Sequence, residues 1–338
     1  MKRKYANLRI EALRNAAGPA AIGAAALLLD PGEALAGVFN LPNTVHAGAA
    51  GWYVSNSTLA VTGPAGLGIA GAIIPGFSTG PPTQSRTMHT AYAFAHHFAG
   101  AYSGAFLITV NGAVFKNPTG TVDLTGTTLT SSPIVMSGLT TSVQFYFDTS
   151  TPTIRAVYSF TNNGATPITA SIQWQNYLGY SAGSPIVTTS SGGSSETAAD
   201  RWVITVGTGQ PYIDSVRYGP GAADTPTAIA VPSASSNYLI DQYSLTVPAG
   251  QTRMLMFFGR LSPNYATAIS ASGTFNSTSA LASAGLLNGL TTQQESHIVN
   301  WNFPQTTVPA MGTFGLVLMA ALLGAMGAKY LRWPVGHR

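Results

Sequence analysis

The sequence has no cysteine and few charged residues. Lys, Arg, Asp and Glu make up 8% of the 338 residues, against roughly 25% in an average soluble domain. The absence of cysteine excludes disulfide bonds, thiolate zinc sites and a cysteine nucleophile. Gly, Ser, Thr, Ala and Asn take the place of the charged residues, and this composition favours many short strands joined by turns.

The positive net charge comes from the two ends of the chain. The formal net charge is +4, but the segment from Gly37 to Thr307 has seven basic and eight acidic residues. That segment has no basic stripe that could neutralise phosphates, so the sequence predicts no nucleic-acid partner. Basic residues confined to the ends indicate membrane topology instead.

The first 36 residues predict a signal peptide. A positively charged segment, MKRKYANLRIEALRN, precedes an Ala/Leu-rich stretch. The small residues Ala34 and Ala36 then frame a cleavage site before Gly37. Because Glu11 lies in the charged segment, an amphipathic N-terminal helix kept in the mature chain is the alternative.

The last residues, 308–338, predict a single transmembrane helix. No charged residue occurs from Gly312 to Ala328, and about twenty helical residues span the roughly 30 Å of a bilayer core. Lys329 and Arg332 would hold this end in the cytoplasm. The segment has no polar face, which argues against a buried amphipathic helix. We therefore expect an inner-membrane-anchored precursor.

The same segment begins with a hydrophobic-Pro pair and then has an aromatic residue and a glycine: Val308, Pro309, Phe314 and Gly315. With these residues and its basic tip the segment resembles the IPTL-CTERM sorting signal of Gram-negative bacteria. In that family a hydrophobic-Pro-Thr-hydrophobic motif, an aromatic residue and a glycine precede the membrane helix and a basic tip. The corresponding residues here, with alanine in place of threonine and phenylalanine in place of the usual tryptophan, are Val308, Pro309, Ala310, Met311, Phe314 and Gly315. The resemblance implies an exosortase-type processing enzyme as partner and a final location at the cell surface or outside the cell. A plain membrane anchor is the alternative.

Alternating apolar and polar residues predict a series of strands between the two ends. Phe106–Lys116 reads FLITVNGAVFK and contains the hairpin dipeptide Asn-Gly. Similar runs predict roughly ten to fourteen strands, an all-β fold and a large antiparallel β-sandwich over residues 37–262. Residues 263–307 predict short helices and a spacer. One of these helices starts at a capping box of Thr292 and Glu295 and continues through Val299.

No motif in this segment establishes an active site. The G-x-S-x-G match at 76–80 is followed by Pro81-Pro82, which favours a loop over a nucleophile elbow. His96 and His97 point to opposite faces of a strand, which argues against a metal site shared with His89. We therefore expect no metal, no cofactor and no catalytic residue.

Two carbohydrate-related alternatives remain open. A glycosidase needs two facing carboxylates, and the acids considered for that role are Glu196, Asp200, Asp214 and Glu295. The tripeptide Asp200-Arg201-Trp202 is also typical of a loop-to-strand junction with a structural ion pair. A carbohydrate-binding face would instead use exposed aromatic rings, although strand tryptophans are more often core, and the candidates are Trp52, Trp174 and Trp202.

The sequence as a whole predicts an exported structural or adhesive protein with no catalysis of its own. Low charge would suit association with exopolysaccharide or with further copies of the chain, because little repulsion keeps neighbours apart. The rival prediction is a secreted hydrolase or carbohydrate-binding protein that acts on envelope or matrix polysaccharide. Paired acids in the folded domain would favour the hydrolase, and scattered acids would favour the structural role.

Overall fold

The computed structural model describes residues 36–40, 43–47, 50–55, 68–73, 102–118, 121–178, 186–207, 211–230 and 238–304. The chain divides into two compact units, Met1–Phe303 and Pro304–Arg338. Within the described residues, no helix has the length and apolarity needed to cross a membrane. The transmembrane helix predicted within 308–338 lies outside them.

The described residues form eighteen strands, which supply two sheets. They are β1 Ala36–Asn40, β2 Asn43–Ala47, β3 Ala50–Ser55, β4 Gly68–Ile73, β5 Tyr102–Val110, β6 Ala113–Val114, β7 Thr121–Thr125, β8 Thr128–Thr130, β9 Ile134–Met136, β10 Leu139–Phe147, β11 Thr153–Thr161, β12 Ile168–Leu178, β13 Ile186–Thr189, β14 Trp202–Thr205, β15 Tyr212–Val216, β16 Ala228–Ala230, β17 Tyr238–Val247 and β18 Thr252–Ser262.

The two sheets are antiparallel. Sheet I has the order β1-β7-β8-β10-β11-β18-β15-β14-β13, with β9 paired to β10. Sheet II has the order β16-β17-β12-β5-β4-β3-β2, with β6 paired to β5. The turn at Asn163-Gly164 and the turn at 248–250 both carry the chain from one sheet to the other, since β11 and β18 belong to sheet I while β12 and β17 belong to sheet II.

Inward-facing side chains of both sheets form the main core. Alternate residues of β10 point inward, and Leu139, Val143 and Phe145 on this face are buried. Trp174 of β12 stacks on Phe257 of β18, with ring centroids 4.5 Å apart and an angle of 11° between the rings. Because these rings come from different sheets, their contact holds the sheets face to face. The predicted all-β antiparallel sandwich is confirmed.

Three short helices cover the outer face of sheet I. They are α1 Tyr265–Ser272, α2 Thr278–Ser283 and α3 Thr292–His297, with a 3₁₀ turn at Gly273–Asn276. Phe275, Leu281 and Trp301 bury this face in a second apolar cluster with strand residues such as Met256 and Phe258. The segment predicted as a helical spacer therefore packs on the sandwich.

A capping box starts α3, one residue earlier than predicted. The Thr291 hydroxyl accepts a hydrogen bond from the Gln294 N–H at 3.1 Å, and the Gln294 side chain accepts one from the Thr291 N–H at 2.9 Å. The predicted box of Thr292 and Glu295 is wrong because threonine occupies both 291 and 292, and the first of them has the extended backbone of an N-cap.

The same helix ends earlier than predicted. Its last residue is His297, whereas the sequence predicted a helix through Val299. The Val299 N–H donates to the Met254 carbonyl at 3.0 Å, so the chain leaves the helix to bond to β18.

Gly219 packs against the indole of Trp301 and has no space for a side chain. A Cβ atom there would lie 2.3 Å from Cε3 of Trp301. We expect Gly219→Ala to lower the free energy of unfolding by about 1–3 kcal/mol, because the indole would have to move. Urea denaturation measures the change, and Gly273→Ala is the control, since no atom lies within 4 Å of a Cβ at Gly273. Equal stability of the two variants would contradict this packing.

Candidate active site

Three charged side chains meet in the interior between the two sheets. Nε of Arg217 lies 2.8 Å from Oδ1 of Asp241, and Nη2 of Arg217 contacts Oε1 of Glu196. The three side chains are at most 1% exposed. These are the two ion pairs within the described part of the chain, and we call the group the Arg217 triad.

Each member of the Arg217 triad comes from a different element. Arg217 directly follows β15 of sheet I, Asp241 lies in β17 of sheet II, and Glu196 lies in the loop between β13 and β14. Every second side chain of β17 points inward, and the residues that share this face with Asp241 are Leu239, Tyr243, Leu245 and Val247. Asp241 is therefore the one carboxylate in an otherwise apolar and aromatic series.

Hydrogen bonds on both sides fix Arg217. Its carbonyl accepts from the Tyr243 hydroxyl at 3.0 Å and from Nδ2 of Asn300 at 2.8 Å. Its Nη1 donates to the carbonyls of Thr197 and Asp200, at 3.2 Å and 3.1 Å. The guanidinium therefore joins the loop to the interior of the sandwich.

Asp200 fixes the backbone of this loop. Its Oδ2 accepts from the N–H and the hydroxyl of Thr197 at 2.9 Å and 3.0 Å, and its Oδ1 accepts from the Ser191 N–H at 3.1 Å. Burial alone would raise the pKa of Asp200, but the hydrogen bonds outweigh it and lower the pKa. The predicted ion pair with Arg201 is wrong, because Nη2 of Arg201 donates instead to Oδ1 of Asn276, at 3.0 Å.

The Arg217 triad has two carboxyl groups for one guanidinium. Burial raises the pKa of Asp241 to about 6, against the opposite effect of the ion pair with Arg217. Within the described residues, the carboxyl oxygens of Glu196 and Asp241 accept no hydrogen bond beyond these ion contacts. A carboxyl group whose pKa is raised in this way is suited to act as a general acid.

Two further polar atoms flank the triad without a partner. Trp174 is the register partner of Asp241 on β12, and its Nε1 has no acceptor among the described residues. Ser215 lies two residues before Arg217, and its buried hydroxyl is likewise unpaired there. Buried polar atoms in native proteins nearly always have a partner, so these two atoms and the carboxyl oxygens make the interior around the triad unusually polar.

The acids proposed from the sequence lie in separate places, and only Glu196 belongs to the triad. Asp214 lies on the outer face of sheet I, in register with Arg260. Glu295 lies in α3, where its charge acts on Arg155. Sequence reasoning missed two members of the triad, although the signal for one was available: the alternation of YLIDQYSLTV assigns Asp241 to the buried face.

The prediction of a carbohydrate-binding face is wrong for Trp174 and Trp202, the two candidate tryptophans whose side chains the structure describes. Trp174 is fully buried and Trp202 is 8% exposed. Trp174 packs in the main core and Trp202 in the cluster under the helices. Trp52 lies in β3.

Most other predicted sites lie outside the described residues. Ala36 and Gly37 of the predicted cleavage site begin β1, where they pair with Thr125 and Leu124 of β7.

Within the described ranges, no group of three or more His, Asp or Glu side chains could hold a metal ion. The predicted residues outside those ranges are Ala34, the G-x-S-x-G match at 76–80, His89, His96, His97, the sorting residues of 308–315, Lys329 and Arg332.

Comparisons with known proteins give matches of low sequence identity and low structural similarity. No protein family model matches this chain, and no curated protein matches it. A human-microbiome protein provisionally named kojibiose phosphorylase matches with a TM-score of 0.40 and 9% identity, over 76% of this chain and 36% of that one. A heparinase III matches with a TM-score of 0.33 and 10% identity, over 69% of this chain and 35% of that one. An Escherichia coli K12 protein provisionally named aldose 1-epimerase matches with a TM-score of 0.33 and 11% identity, over 68% of this chain and 100% of that one.

These comparisons correct one prediction. The chain was predicted to have no catalysis of its own, and this is wrong because the three proteins above and a polysaccharide lyase are all named as carbohydrate-processing enzymes. The chain spans about a third of the phosphorylase and heparinase structures. At TM-scores of 0.27 to 0.40 the likeness assigns no residue and no substrate to this chain.

Proposed function

We propose that this chain acts on polysaccharide as an acid–base enzyme and that the Arg217 triad is its active site. One observation carries the proposal: two buried carboxyl groups meet on one guanidinium, and the pKa of one of them, Asp241, is raised to about 6. Glycoside hydrolysis uses such a pair, with one carboxylic acid and one carboxylate.

The two carboxyl groups take different roles. Asp241, protonated below about pH 6, gives its proton to the glycosidic oxygen as the bond from that oxygen to C1 breaks. Glu196, held by its contact with Arg217, takes a proton from the water that attacks C1. C1 gains the hydroxyl, the leaving sugar keeps the proton from Asp241, and exchange with solvent restores both groups. Arg217 is a positioning residue.

Substrate reaches the triad by movement of the exposed residues 192–195, which precede Glu196 in the loop. The side chain of Glu196 is fully buried, whereas the preceding residues 191–195 are exposed. Gly192, with a φ of 86°, gives this loop a left-handed turn. Displacement of residues 192–195 opens a path to Asp241 while Glu196 keeps its contact with Arg217.

Cleavage of polysaccharides by the full chain tests the proposal. We expect the wild-type chain to release reducing ends from at least one member of a panel of neutral and acidic polysaccharides. Glu196→Gln should be at least about 100-fold slower, because the attacking water loses its base. Asp123→Asn, an exposed carboxylate on β7, is the control and should match the wild type. Equal rates for Glu196→Gln and the wild type would refute the assignment.

We also propose that the chain is exported and then sorted through its C-terminal segment. The basic residues at the two ends, the Ala34 and Ala36 cleavage pattern and the resemblance of 308–338 to IPTL-CTERM signals support this proposal. An exosortase-type enzyme would cut near Val308-Pro309 and pass the folded part to the cell surface or the medium, where exopolysaccharide or further copies of the chain would be its partners.

Cell fractionation tests the sorting proposal. We expect wild-type chain to appear in a shortened form at the surface or in the medium. A double variant, Pro309→Ala with Phe314→Ala, should remain full-length in the inner membrane, because the processing enzyme no longer recognises it. If both chains stay at full length in the membrane, the segment is only an anchor.

A further inference from the structure

A second polar site lies on the outer face of sheet I, where α1 borders a cleft of about 460 Å³. One cation, three hydroxyl side chains and two alanines line the cleft: Arg260, Thr267, Ser270, Thr274, Ala266 and Ala271. The volume falls within the roughly 300–1,000 Å³ typical of small-molecule sites. Arg260 is the one charged residue in this lining.

A buried carboxyl group lies beside this arginine. Asp214 of β15 and Arg260 of β18 are register partners, so their side chains share the outer face of the sheet. Asp214 is fully buried, and neither of its oxygens has a hydrogen-bond partner among the described residues. Nε of Arg260 is also buried and unpaired there. Asp214 is not part of the cleft lining, so Arg260 is the residue through which this buried pair meets the cleft.

The charges around the cleft leave Arg260 available for an anion. Burial raises the pKa of Asp214 to about 8, and the charge of Arg260 lowers it by less. Asp214 is therefore neutral at pH 7. Asp148 is the other charged group that acts on Arg260. Three more charged residues lie on this side of sheet I: Arg201, which donates to Asn276 of the 3₁₀ turn, Arg155, which donates to the Leu286 carbonyl, and Glu295 of α3. Neither α1 nor the 3₁₀ turn carries an acidic or basic residue.

We propose that this cleft binds a carboxylated sugar, such as a uronate. The ligand carboxylate pairs with the guanidinium of Arg260, since the fork of N–H donors matches two carboxylate oxygens. The sugar hydroxyls bond to Thr267, Ser270 and Thr274, which line the same cleft. The site lies on the opposite face of sheet I from the Arg217 triad, so the proposal does not rest on the catalytic role of that triad.

Calorimetric titration of the full chain tests the ligand class. We expect galacturonate to bind, acetate to bind more weakly, and galactose not to bind detectably. Arg260→Met should lose at least about tenfold in galacturonate affinity, whereas Arg253→Met, on the same strand but outside the cleft lining, should be unchanged. Galactose binding as tight as galacturonate binding, or unchanged affinity in Arg260→Met, would overturn the proposal.

The pH dependence of galacturonate affinity gives a second test, in which Arg260 is left in place. Ionised Asp214 cancels part of the Arg260 charge, so galacturonate affinity in the wild type should fall about tenfold as pH rises from 7 to 9. Asp214→Asn should abolish this fall. A fall that persists in Asp214→Asn would contradict the site. Glu196→Gln should bind galacturonate normally, which separates failure of this proposal from failure of the catalytic one.

Discussion

Arg217→Met is expected to lower the free energy of unfolding by about 3–5 kcal/mol at pH 7. The substitution leaves the carboxyl groups of Glu196 and Asp241 in the interior without their cation. It also removes the hydrogen bonds from Nη1 of Arg217 to the Thr197 and Asp200 carbonyls. Urea denaturation monitored by tryptophan fluorescence measures the loss, because Trp174 is buried beside the triad.

Two controls separate the charge effect from loss of packing. The triple variant Glu196→Gln, Arg217→Met, Asp241→Asn carries no buried charge, so it should be more stable than Arg217→Met alone. The single variant should also regain stability near pH 4, where the carboxyl groups are protonated. Arg253→Met, at a half-buried arginine of β18, should stay close to the wild type. A stable Arg217→Met at pH 7 would show that the triad does not hold two charges.

Asp241→Asn is expected to lower the rate of polysaccharide cleavage by about 10²–10⁴-fold. The substitution removes the proton that the proposed mechanism gives to the leaving oxygen, and it keeps the size of the side chain. Initial rates of reducing-end release by the full chain at pH 5.5 measure the loss. A rate within twofold of the wild type would remove Asp241 from the mechanism.

The same variant should be more stable than the wild type above pH 6. The pKa of Asp241 in the native state is about 6, against an ordinary value of 3.8 for an aspartate. The native state therefore holds this proton more tightly than the unfolded chain. The stability that the proton on Asp241 contributes is complete below about pH 4, decreases as pH rises and is lost above about pH 6. Two pKa units correspond to about 3 kcal/mol, the upper bound on the gain.

A loss of rate together with a gain of stability is the diagnostic combination for Asp241. A residue needed only for folding would lose both when it is replaced. A carboxyl group kept in the interior for its chemistry costs stability and supplies rate. Thermal denaturation and initial rates on the same protein preparation distinguish the two cases.

The strands could be predicted from the sequence because their side chains alternate clearly. The hairpin around Asn111-Gly112 is confirmed, with φ values of 49° and 81° at its two turn residues. The order of strands within each sheet could not be predicted. For example, β11 pairs with β18, and ninety residues separate the two strands in the sequence. Backbone hydrogen bonds between such strands leave no pattern in the local sequence. Local alternation gives the buried face of a strand but does not give its neighbour.

The site was harder to predict than the fold. Glu196 was among four candidate acids, but nothing near it in the sequence distinguishes it from Asp200, which caps its own loop. Arg217 lies between Glu196 and Asp241 in the sequence, but each of the three belongs to a different element, so the two ion pairs are visible only after folding. Asp241 was the available signal, since a carboxylate at an inward position of β17 conflicts with an apolar core.

The pH dependence of polysaccharide cleavage by the full chain, measured from pH 4 to pH 9 beside Asp241→Asn, tests the central claim most directly. The Arg217 triad predicts that the wild-type rate falls about tenfold per pH unit above about pH 6, as Asp241 loses its proton. It also predicts that Asp241→Asn loses both the rate and this fall. A wild-type chain that releases no reducing ends from any polysaccharide, or an Asp241→Asn chain with the wild-type rate and profile, would contradict the claim.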